Sequence, residues 1–304
     1  MVSLRARAAA AAALTAAVVV VVARGATTAE PVATIDLGGS GGIVASLGGS
    51  LWATNTVNRL FEIDPGSNTV AAGIPAGVRP LGIAYGSRSL WVASAFSGNV
   101  IRVDPARKKL VKRIPVGISP YDVTYGAGAA WVSNEVDGTV ARIGPKKNRV
   151  VARIRVAAQP NGVTSAFGSI WVACLRGNRL IRINPARNRV AARLTLPAVD
   201  WITASPDSLW ISSERGRVYR VNPRTLTIAA VIPVGANPLA SAWIDGELWV
   251  PNIDDDTISI VDPATNAVRR TMAVGDGPIA VAEFAGDVWV THERDRLWRL
   301  SKAG

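Results

Sequence analysis

The sequence predicts an all-β fold, a seven-bladed β-propeller built from four-stranded antiparallel blades. Seven tryptophans recur at intervals of 39 or 40 residues, and this set is called the tryptophan ladder: Trp52, Trp91, Trp131, Trp171, Trp210, Trp249 and Trp289. A large aromatic residue at one fixed place in each period indicates a repeated unit that stacks on copies of itself. The chain has 304 residues, of which 49% are hydrophobic, so it can bury a large core.

Each repeat reads as four short strands separated by turn residues. In the unit of residues 80–117 the predicted strands are 81–85, 90–93, 100–103 and 110–116. Asp104-Pro105 separates the third strand from the fourth, because aspartate suits the first turn position and proline presets φ at the second. The tryptophan belongs to the second strand. Burying its ring removes roughly 150–250 Å² from water, so we expect all seven rings in the core between blades.

The two ends of the domain complement each other. The last repeat stops after its third strand, whereas residues 31–37 (PVATIDL) match the pattern of a fourth strand. We therefore expect the N-terminal strand to complete the seventh blade, which closes the ring and removes exposed edges.

The beginning of the chain has the pattern of a secretory signal. Arg5 and Arg7 precede an uncharged Ala/Val run over residues 8–23, and small residues follow. Cleavage after Gly25 or after Ala29 fits this pattern, with an uncleaved anchor as the alternative. The predicted organisation is a signal peptide over residues 1–29 and a single propeller domain over 30–304. The protein is then extracellular, in the cell wall or periplasmic, and tethered to the membrane if the signal is not cleaved.

Charge and cysteine content narrow the classes of partner. The net charge is +12, and removing residues 1–29 leaves +9. A basic exported protein meets anionic envelope polymers and lipid headgroups first. Aromatic residues interleaved with the arginines for base stacking are absent, so no nucleic-acid partner is expected. The single cysteine, Cys174, allows no intramolecular disulfide, and we expect a monomer.

Basic residues gather at the turns between third and fourth strands, a set called the basic rim: Arg107, Lys108, Lys109, Lys146, Lys147, Arg149, Arg187, Arg189 and Arg224. We expect this face to be basic and the opposite face acidic. The expectation for the basic rim is either a plain solvated surface or docking on an anionic cell-envelope polymer or lipid.

Several repeats resemble a known family. Trp131-Val132-Ser133-Asn134, Trp249-Val250-Pro251-Asn252, and the segments 257–268 (TISIVDPATNAV) and 274–280 (VGDGPIA) resemble the YVTN-type β-propeller repeat. This resemblance covers all seven units. It implies an exported bacterial propeller that serves as a binding or envelope protein, and it names no ligand.

A looser resemblance is to the streptogramin (virginiamycin B) lyases, which are also seven-bladed. It implies a Glu-Pro-His at the start of a first strand, a glutamate four residues after a ladder tryptophan, and histidines with a bound Mg²⁺. Here the triplet is Gly277-Pro278-Ile279, while Glu293 does fall four residues after Trp289. Leu239 stands where a second family histidine is expected, and the only histidine, His292, lies elsewhere. We therefore expect no catalytic residue and no cofactor, with Glu293, His292 and Mg²⁺ as the alternative.

A binding site is expected on one face of the ring. The turns between strands two and three share a face with the connections between blades, where propellers bind ligands around the central channel. Three residues after each ladder tryptophan the side chain is polar or weakly polar, and one residue later glutamates occupy blades three, five and seven. Together with the starts of the first strands, the predicted binding residues are Tyr121, Asp122, Asn134, Glu135, Asn161, Asp200, Trp201, Glu214, Asn252, His292 and Glu293.

Two alternatives remain open for this set. Asparagine and serine side chains bond local backbone readily, so the polar ring could serve only to tie strand ends together. Trp201 stands where other repeats carry glycine, alanine, isoleucine or, in blade three, Asp122, and it could form the floor of a binding cleft or plug the channel. The sequence thus predicts an exported, non-enzymatic binding protein whose partner is a small molecule or a protein at the channel mouth. The alternative is a lyase-like enzyme with a divalent-metal site on the same face.

Overall fold

The computed structural model describes residues 26–294 and 296–302. In this part of the chain the strands form seven antiparallel sheets arranged as the blades of a propeller. Within the same ranges, no helix has both the length and the apolar character that a membrane crossing requires. The predicted signal lies outside the described residues up to position 25.

The strands of the first four blades follow the repeat. Blade one contains β3 (Gly41–Leu47), β4 (Ser50–Asn55), β5 (Arg59–Asp64) and β6 (Thr69–Pro75). Blade two contains β7 (Pro80–Gly86), β8 (Ser89–Ser94), β9 (Asn99–Asp104) and β10 (Lys109–Pro115). Blade three contains β11 (Pro120–Gly126), β12 (Ala129–Asn134), β13 (Thr139–Gly144) and β14 (Arg149–Arg155). Blade four contains β15 (Pro160–Ala166), β16 (Ser169–Cys174), β17 (Arg179–Asn184) and β18 (Arg189–Thr195).

The remaining blades include the closure of the ring. Blade five contains β19 (Val199–Ala204), β20 (Leu209–Ser213), β21 (Arg217–Asn222) and β22 (Thr227–Pro233). Blade six contains β23 (Ala242–Ile244), β24 (Glu247–Asn252), β25 (Thr257–Asp262) and β26 (Ala267–Ala273), with β1 (Thr27–Thr28) added in parallel to β26. Blade seven contains β27 (Pro278–Phe284), β28 (Asp287–His292), β29 (Arg296–Ser301) and β2 (Ala33–Asp36). Short 3₁₀ turns occupy Ala95–Ser97 and Ile253–Asp255.

The N-terminal strand closes the ring as predicted. β2 pairs antiparallel with β29, and Ile35 lies opposite Leu297 with 5% and 0% of their surfaces exposed. The strand is therefore both hydrogen-bonded and packed, which removes the free edge of blade seven. Under cleavage after Gly25 the short strand β1 would be retained, whereas cleavage after Ala29 would remove it.

The core lies between neighbouring blades. In the second strands β8, β12 and β16 every residue is buried, because both faces of each sheet are covered by a neighbour. The ladder tryptophans are at most 6% exposed, which confirms the prediction that they are core. Four of them also donate from Nε1 to the backbone carbonyl five residues earlier, as Trp131 does to Gly126 at 2.9 Å.

An arginine on the third strand, opposite the ladder tryptophan, ties each of several blades to the next. Arg102 pairs across the sheet with Trp91, and its guanidinium carbon lies 4.9 Å from the centroid of that ring. Its Nη1 then donates to Pro145 O at 2.7 Å and to Asn148 Oδ1 at 2.6 Å in blade three. This contact is called the interblade clamp. It recurs as Arg142 with Asn188, Arg220 with Asn266, and Arg299 with Asn68.

The residue that accepts the arginine's hydrogen bond in the clamp must meet two requirements, one of backbone conformation and one of side-chain chemistry. Asn148, Asn188, Asn266 and Asn68 have φ between 48° and 54°, a left-handed conformation that asparagine tolerates better than most residues. The same side chain supplies the amide oxygen that the arginine needs. Asparagine therefore satisfies the turn and the clamp at once.

Between blades one and two the same contact is made with different residues. Glu62 takes the place of the arginine opposite Trp52, and Lys108 takes the place of the asparagine. Their charged groups form an ion pair with Nζ and Oε2 2.7 Å apart. The donor and acceptor are thus exchanged across this interface, and the connection between the blades is preserved.

We predict that this exchange can be reversed. Glu62→Arg alone faces Lys108 with a like charge, and Lys108→Asn alone leaves a mostly buried carboxylate without its cation, so each should lower the free energy of unfolding by about 1 kcal/mol. The double variant rebuilds the clamp found at the other interfaces and should recover most of that loss. Urea unfolding of the four proteins measures the coupling. Simple addition of the two single losses would contradict the exchange.

Candidate ligand-binding site at the channel mouth

One position of the repeat lies at the start of each blade, directly after the residue that pairs with the last residue of the second strand. The residues at this position are Gly42, Leu81, Tyr121, Asn161, Asp200, Leu239 and Ile279. Blades three to five therefore supply polar side chains, while blades two, six and seven supply apolar ones. A ligand at this position meets one polar and one apolar wall.

Glycines allow neighbouring first strands to approach closely. A Cβ on Gly82 would lie 2.6 Å from the Cα of Asp122, and a Cβ on Gly162 would lie 2.7 Å from Asp200 O. Such distances leave no room for a side chain. The glycines therefore allow the close approach of strands that sets the positions of Asp122 and Asp200.

A cavity of about 220 Å³ lies at the mouth of the channel. Four of the predicted binding residues line it: Tyr121, Asp200, Trp201 and Glu293. Trp201 also packs against the apolar cluster that contains Ala240 and Ala280. Trp201 therefore lines the cavity and does not fill it. The other lining residues are Ser40, Gly41, Gly42, Ile43, Thr56, Arg79, Leu81, Gly82, Leu239, Ala240, Ile253 and Ile279.

Asp200 is the most constrained polar group of the cavity. It is 5% exposed, and its Oδ1 accepts a hydrogen bond from Asn161 Nδ2 at 2.7 Å. Burial, with the carboxylates of Glu214 and Glu135 as further causes, raises the pKa of Asp200 to about 6. The charge of Asp200 in turn raises the pKa of the Tyr121 hydroxyl well above its ordinary value. The polar wall therefore carries negative potential.

Asp122 belongs to the frame beneath the cavity. Its Oδ1 accepts from its neighbour Val123 N at 2.7 Å, and its Oδ2 accepts from Val163 N of blade four at 2.8 Å. Burial raises the pKa of this carboxyl to about 7, although the two backbone donors oppose the shift. Asp122 and Asn161 therefore support the polar wall, and neither lines the cavity.

The polar ring three residues after the tryptophans is sealed inside the blades. Asn134, Asn252 and His292 are fully buried. Asn134 Nδ2 donates to Val116 O at 3.3 Å, and Asn252 Nδ2 donates to Thr257 Oγ1 at 3.0 Å. His292 contacts Gly275 O through Nδ1 at 2.9 Å, and its ring centroid lies 4.6 Å from that of Trp298. These contacts are those of the structural alternative, in which the ring ties strand ends together.

The three glutamates have different surroundings. Glu135 is half-buried and accepts from Ser119 Oγ at 2.8 Å and from Gln159 Nε2 at 3.0 Å. Glu214 is exposed on blade five. Glu293 is exposed and lines the cavity. The structure thus brings Glu293 to the predicted site and leaves the other two around it.

Sequence reasoning missed an apolar arc on the same face. Five large side chains, 50–70% exposed, follow one another over blades one to three: Val57, Val78, Phe96, Ile118 and Val136. Backbone bonds connect their segments, such as Phe96 N to Val78 O at 3.2 Å. The signal was present, because the residue five after the tryptophan is Val57, Phe96 or Val136 here but arginine in blades four, five and seven. Arg79, which joins the arc to the cavity, was missed as well.

The predicted separation of charge between the two faces is wrong as a rule for the whole ring. Arg176, Arg215 and Arg294 lie in turns between strands two and three, on the face of the glutamates. Asp207 and Asp245 lie in turns between strands one and two, on the face of the basic rim. In blades five and seven an arginine directly follows the glutamate, so the two charges offset each other in the same turn. Docking of the basic rim on an anionic polymer or lipid stays a prediction.

Comparisons with known proteins support the fold. No protein-family model and no curated protein matches the chain. Solved structures do match. Hydrazine synthase of Kuenenia stuttgartiensis is similar with a TM-score of 0.76 at 14% identity, over 87% of this chain and 96% of that one. The WD40 β-propeller domain of Doa1 is similar with a TM-score of 0.76 at 12% identity, over 90% and 97%. The chain is therefore a seven-bladed β-propeller, and identities this low carry the fold alone.

We predict that His292 makes the protein sensitive to acid. Burial lowers the pKa of His292 to about 4, whereas its value in an unfolded chain is about 6.5. The unfolded chain therefore takes up the proton first, and stability is lost as the pH falls from about 6.5 to about 4, by up to about 3 kcal/mol.

The matched variant is His292→Asn, because blades one, three and six carry asparagine at this position. Urea unfolding at pH 7.5 and at pH 4.5 should show a smaller loss for the variant than for the wild type. Asp122 and Asp200 act in the opposite direction in both proteins, since their raised pKa values favour the folded state at low pH. An equal loss in the two proteins would refute the role of His292.

Proposed function

We propose that this chain is an exported, non-enzymatic binding protein that holds a small molecule or a segment of a partner protein in the channel-mouth cavity. The observation that carries the proposal is the composition of that cavity. Apolar walls from Leu81, Leu239 and Ile279 meet a few convergent polar groups, chiefly Tyr121 and Asp200. Concave sites of this mixed kind are where proteins bind ligands.

Two further features support the proposal. The apolar arc borders the cavity through Arg79, and exposed apolar surface of this kind marks interaction sites. Export is supported by the signal pattern of residues 1–29. A propeller scaffold alone does not choose among functions, so the proposal depends on the site.

We predict that filling the cavity abolishes binding. Leu239→Trp places an indole ring in the space between the walls, while Val231→Trp places the same ring on the outer strand of blade five, where the side chain is 49% exposed. Thermal unfolding is measured for both variants and the wild type with a set of amines, carboxylates, sugars and nucleosides.

A ligand at about 100 times its Kd adds about 2.7 kcal/mol of stability, a shift of several degrees. At least one compound should stabilise the wild type and Val231→Trp but not Leu239→Trp. Melting of the free variants shows that both are folded. Equal stabilisation of all three proteins, or stabilisation of none, would reject the cavity as the site.

The lyase-like alternative has one observation in its favour, the position of Glu293 at the cavity. His292 does not line the cavity, and burial favours its neutral form. Across residues 26–294 and 296–302 no three His, Cys, Asp or Glu side chains are grouped as metal ligands, so the residues do not fit the Mg²⁺ site that the resemblance implies.

The alternative is tested by streptogramin linearisation with and without Mg²⁺. We expect no turnover by the wild type, and no difference between the wild type and Glu293→Gln. Mg²⁺-dependent turnover that disappears in Glu293→Gln would replace the binding proposal with the enzyme.

A further inference from the structure

We propose that the group bound in the channel-mouth cavity is an organic ammonium ion, held against the Asp200 carboxylate with the rings of Tyr121 and Trp201 as its aromatic wall. This inference rests on the proposed function, since it assumes that the cavity binds a ligand. It adds the charge and the chemical class of that ligand.

The geometry of Asp200 is the first support. Only 5% of the surface of Asp200 is exposed, and the residue lines the cavity. One oxygen accepts from Asn161 Nδ2, and among the described residues the other oxygen has no hydrogen-bond donor. A carboxylate this far from bulk water is costly to ionise unless a cation or donor meets it. The free oxygen is therefore placed to receive one from the cavity.

The protein does not supply that cation. The charges that act on Asp200 are the carboxylates of Glu214 and Glu135, and both raise its pKa together with burial. Arg79 is the basic residue among the described residues that line the cavity, and its guanidinium carbon lies 5.1 Å from the centroid of the exposed Phe96 ring. Glu293 adds a second carboxylate at the cavity. Two carboxylates therefore line the cavity with one guanidinium, that of Arg79, whose charge also acts on Tyr121, and this leaves an excess of negative charge.

The walls select the kind of cation. Tyr121 and Trp201 are the aromatic residues among those that line the cavity, and an aromatic ring attracts cations through the electrons of its face. Leu81, Leu239 and Ile279 cover the other side with hydrocarbon. A small metal ion prefers oxygen ligands on all sides and retains water, whereas an alkylated ammonium fits a wall that is partly apolar. The arrangement thus favours an organic cation over a metal ion.

This chemistry has two sources, a free small molecule or the side chain of a lysine in a partner protein. Both present an ammonium group on an alkyl chain. The test compounds must therefore distinguish the effect of the ligand's charge from the effect of its shape. They must also distinguish a free small cation from a lysine side chain of a partner protein.

Three compounds of nearly the same shape test the charge by calorimetric titration of the wild type. Choline carries the positive charge, 3,3-dimethylbutan-1-ol is its neutral carbon analogue, and 3,3-dimethylbutanoate carries a negative charge. We expect choline to bind about tenfold or more tightly than the alcohol, and the carboxylate to bind most weakly. N-acetyl-lysine methylamide is titrated in parallel. Tighter binding of this compound than of choline assigns the site to a lysine of a protein, and the reverse order assigns it to a small quaternary ammonium.

Variants locate the effect at the named residues. Asp200→Asn keeps an oxygen that can accept from Asn161 but removes the charge, so choline affinity should fall about tenfold while the alcohol is unaffected. Tyr121→Phe keeps the ring, and Tyr121→Leu inserts the residue that blades two and six carry at this position. Choline binding should survive in the first and weaken severalfold in the second. If Asp200→Asn does not fold, the Tyr121 pair together with Glu293→Gln decides.

The inference fails if the alcohol or the carboxylate binds as tightly as choline, or if choline does not bind at millimolar concentration. It also fails if Tyr121→Leu binds choline like Tyr121→Phe. Binding of the alcohol that disappears in Leu239→Trp would leave the proposed function intact and overturn the ammonium assignment alone. The two failures are therefore distinguishable.

Discussion

The contact between an arginine, its ladder tryptophan and the turn of the next blade holds the ring together. Each blade alone has two apolar faces, so its tryptophan is buried only when a neighbour is in place. The interblade clamp fixes the orientation of one blade relative to the next, because Arg102 donates to a backbone carbonyl and to a side-chain amide oxygen of blade three. The same clamp runs from Arg299 to Asn68 across the junction between the seventh blade and the first. Ring closure thus depends on the clamp as well as on strand β2.

The channel mouth inherits its shape from this ring. Because the blades are fixed against one another, the first strands meet around the channel at distances that only glycine allows at Gly82 and Gly162. Residues on these strands can then vary without changing the frame. Tyr121, Asp200 and Trp201 are such variations, and together they give a largely apolar cavity a polar wall and aromatic residues.

Much of the fold and part of the site could be predicted from the sequence. The period of the tryptophans predicted seven blades, the second-strand core and the closing strand. Counting from the same tryptophans placed Glu293 at the cavity, and the starts of the first strands supplied Tyr121, Asp200 and Trp201. The same counting placed Asn134, Asn252 and His292 on the correct end of the blades, yet their side chains are buried. The position of a residue in the repeat predicts where along its strand it lies. Whether its side chain is buried depends on the connecting segment from the preceding blade, which covers the end of that strand.

The sequence by itself determined the architecture, because each blade packs against the next copy of the same repeat, which follows at a fixed separation along the chain. Only the tertiary structure decided which side chains share a space. Asp200 and Glu293 lie more than two repeats apart in sequence and line one cavity, and the apolar arc is assembled from turns and connections of three blades. Such groupings depend on the curvature of the ring, which brings residues from different repeats to a common axis and which no single repeat contains.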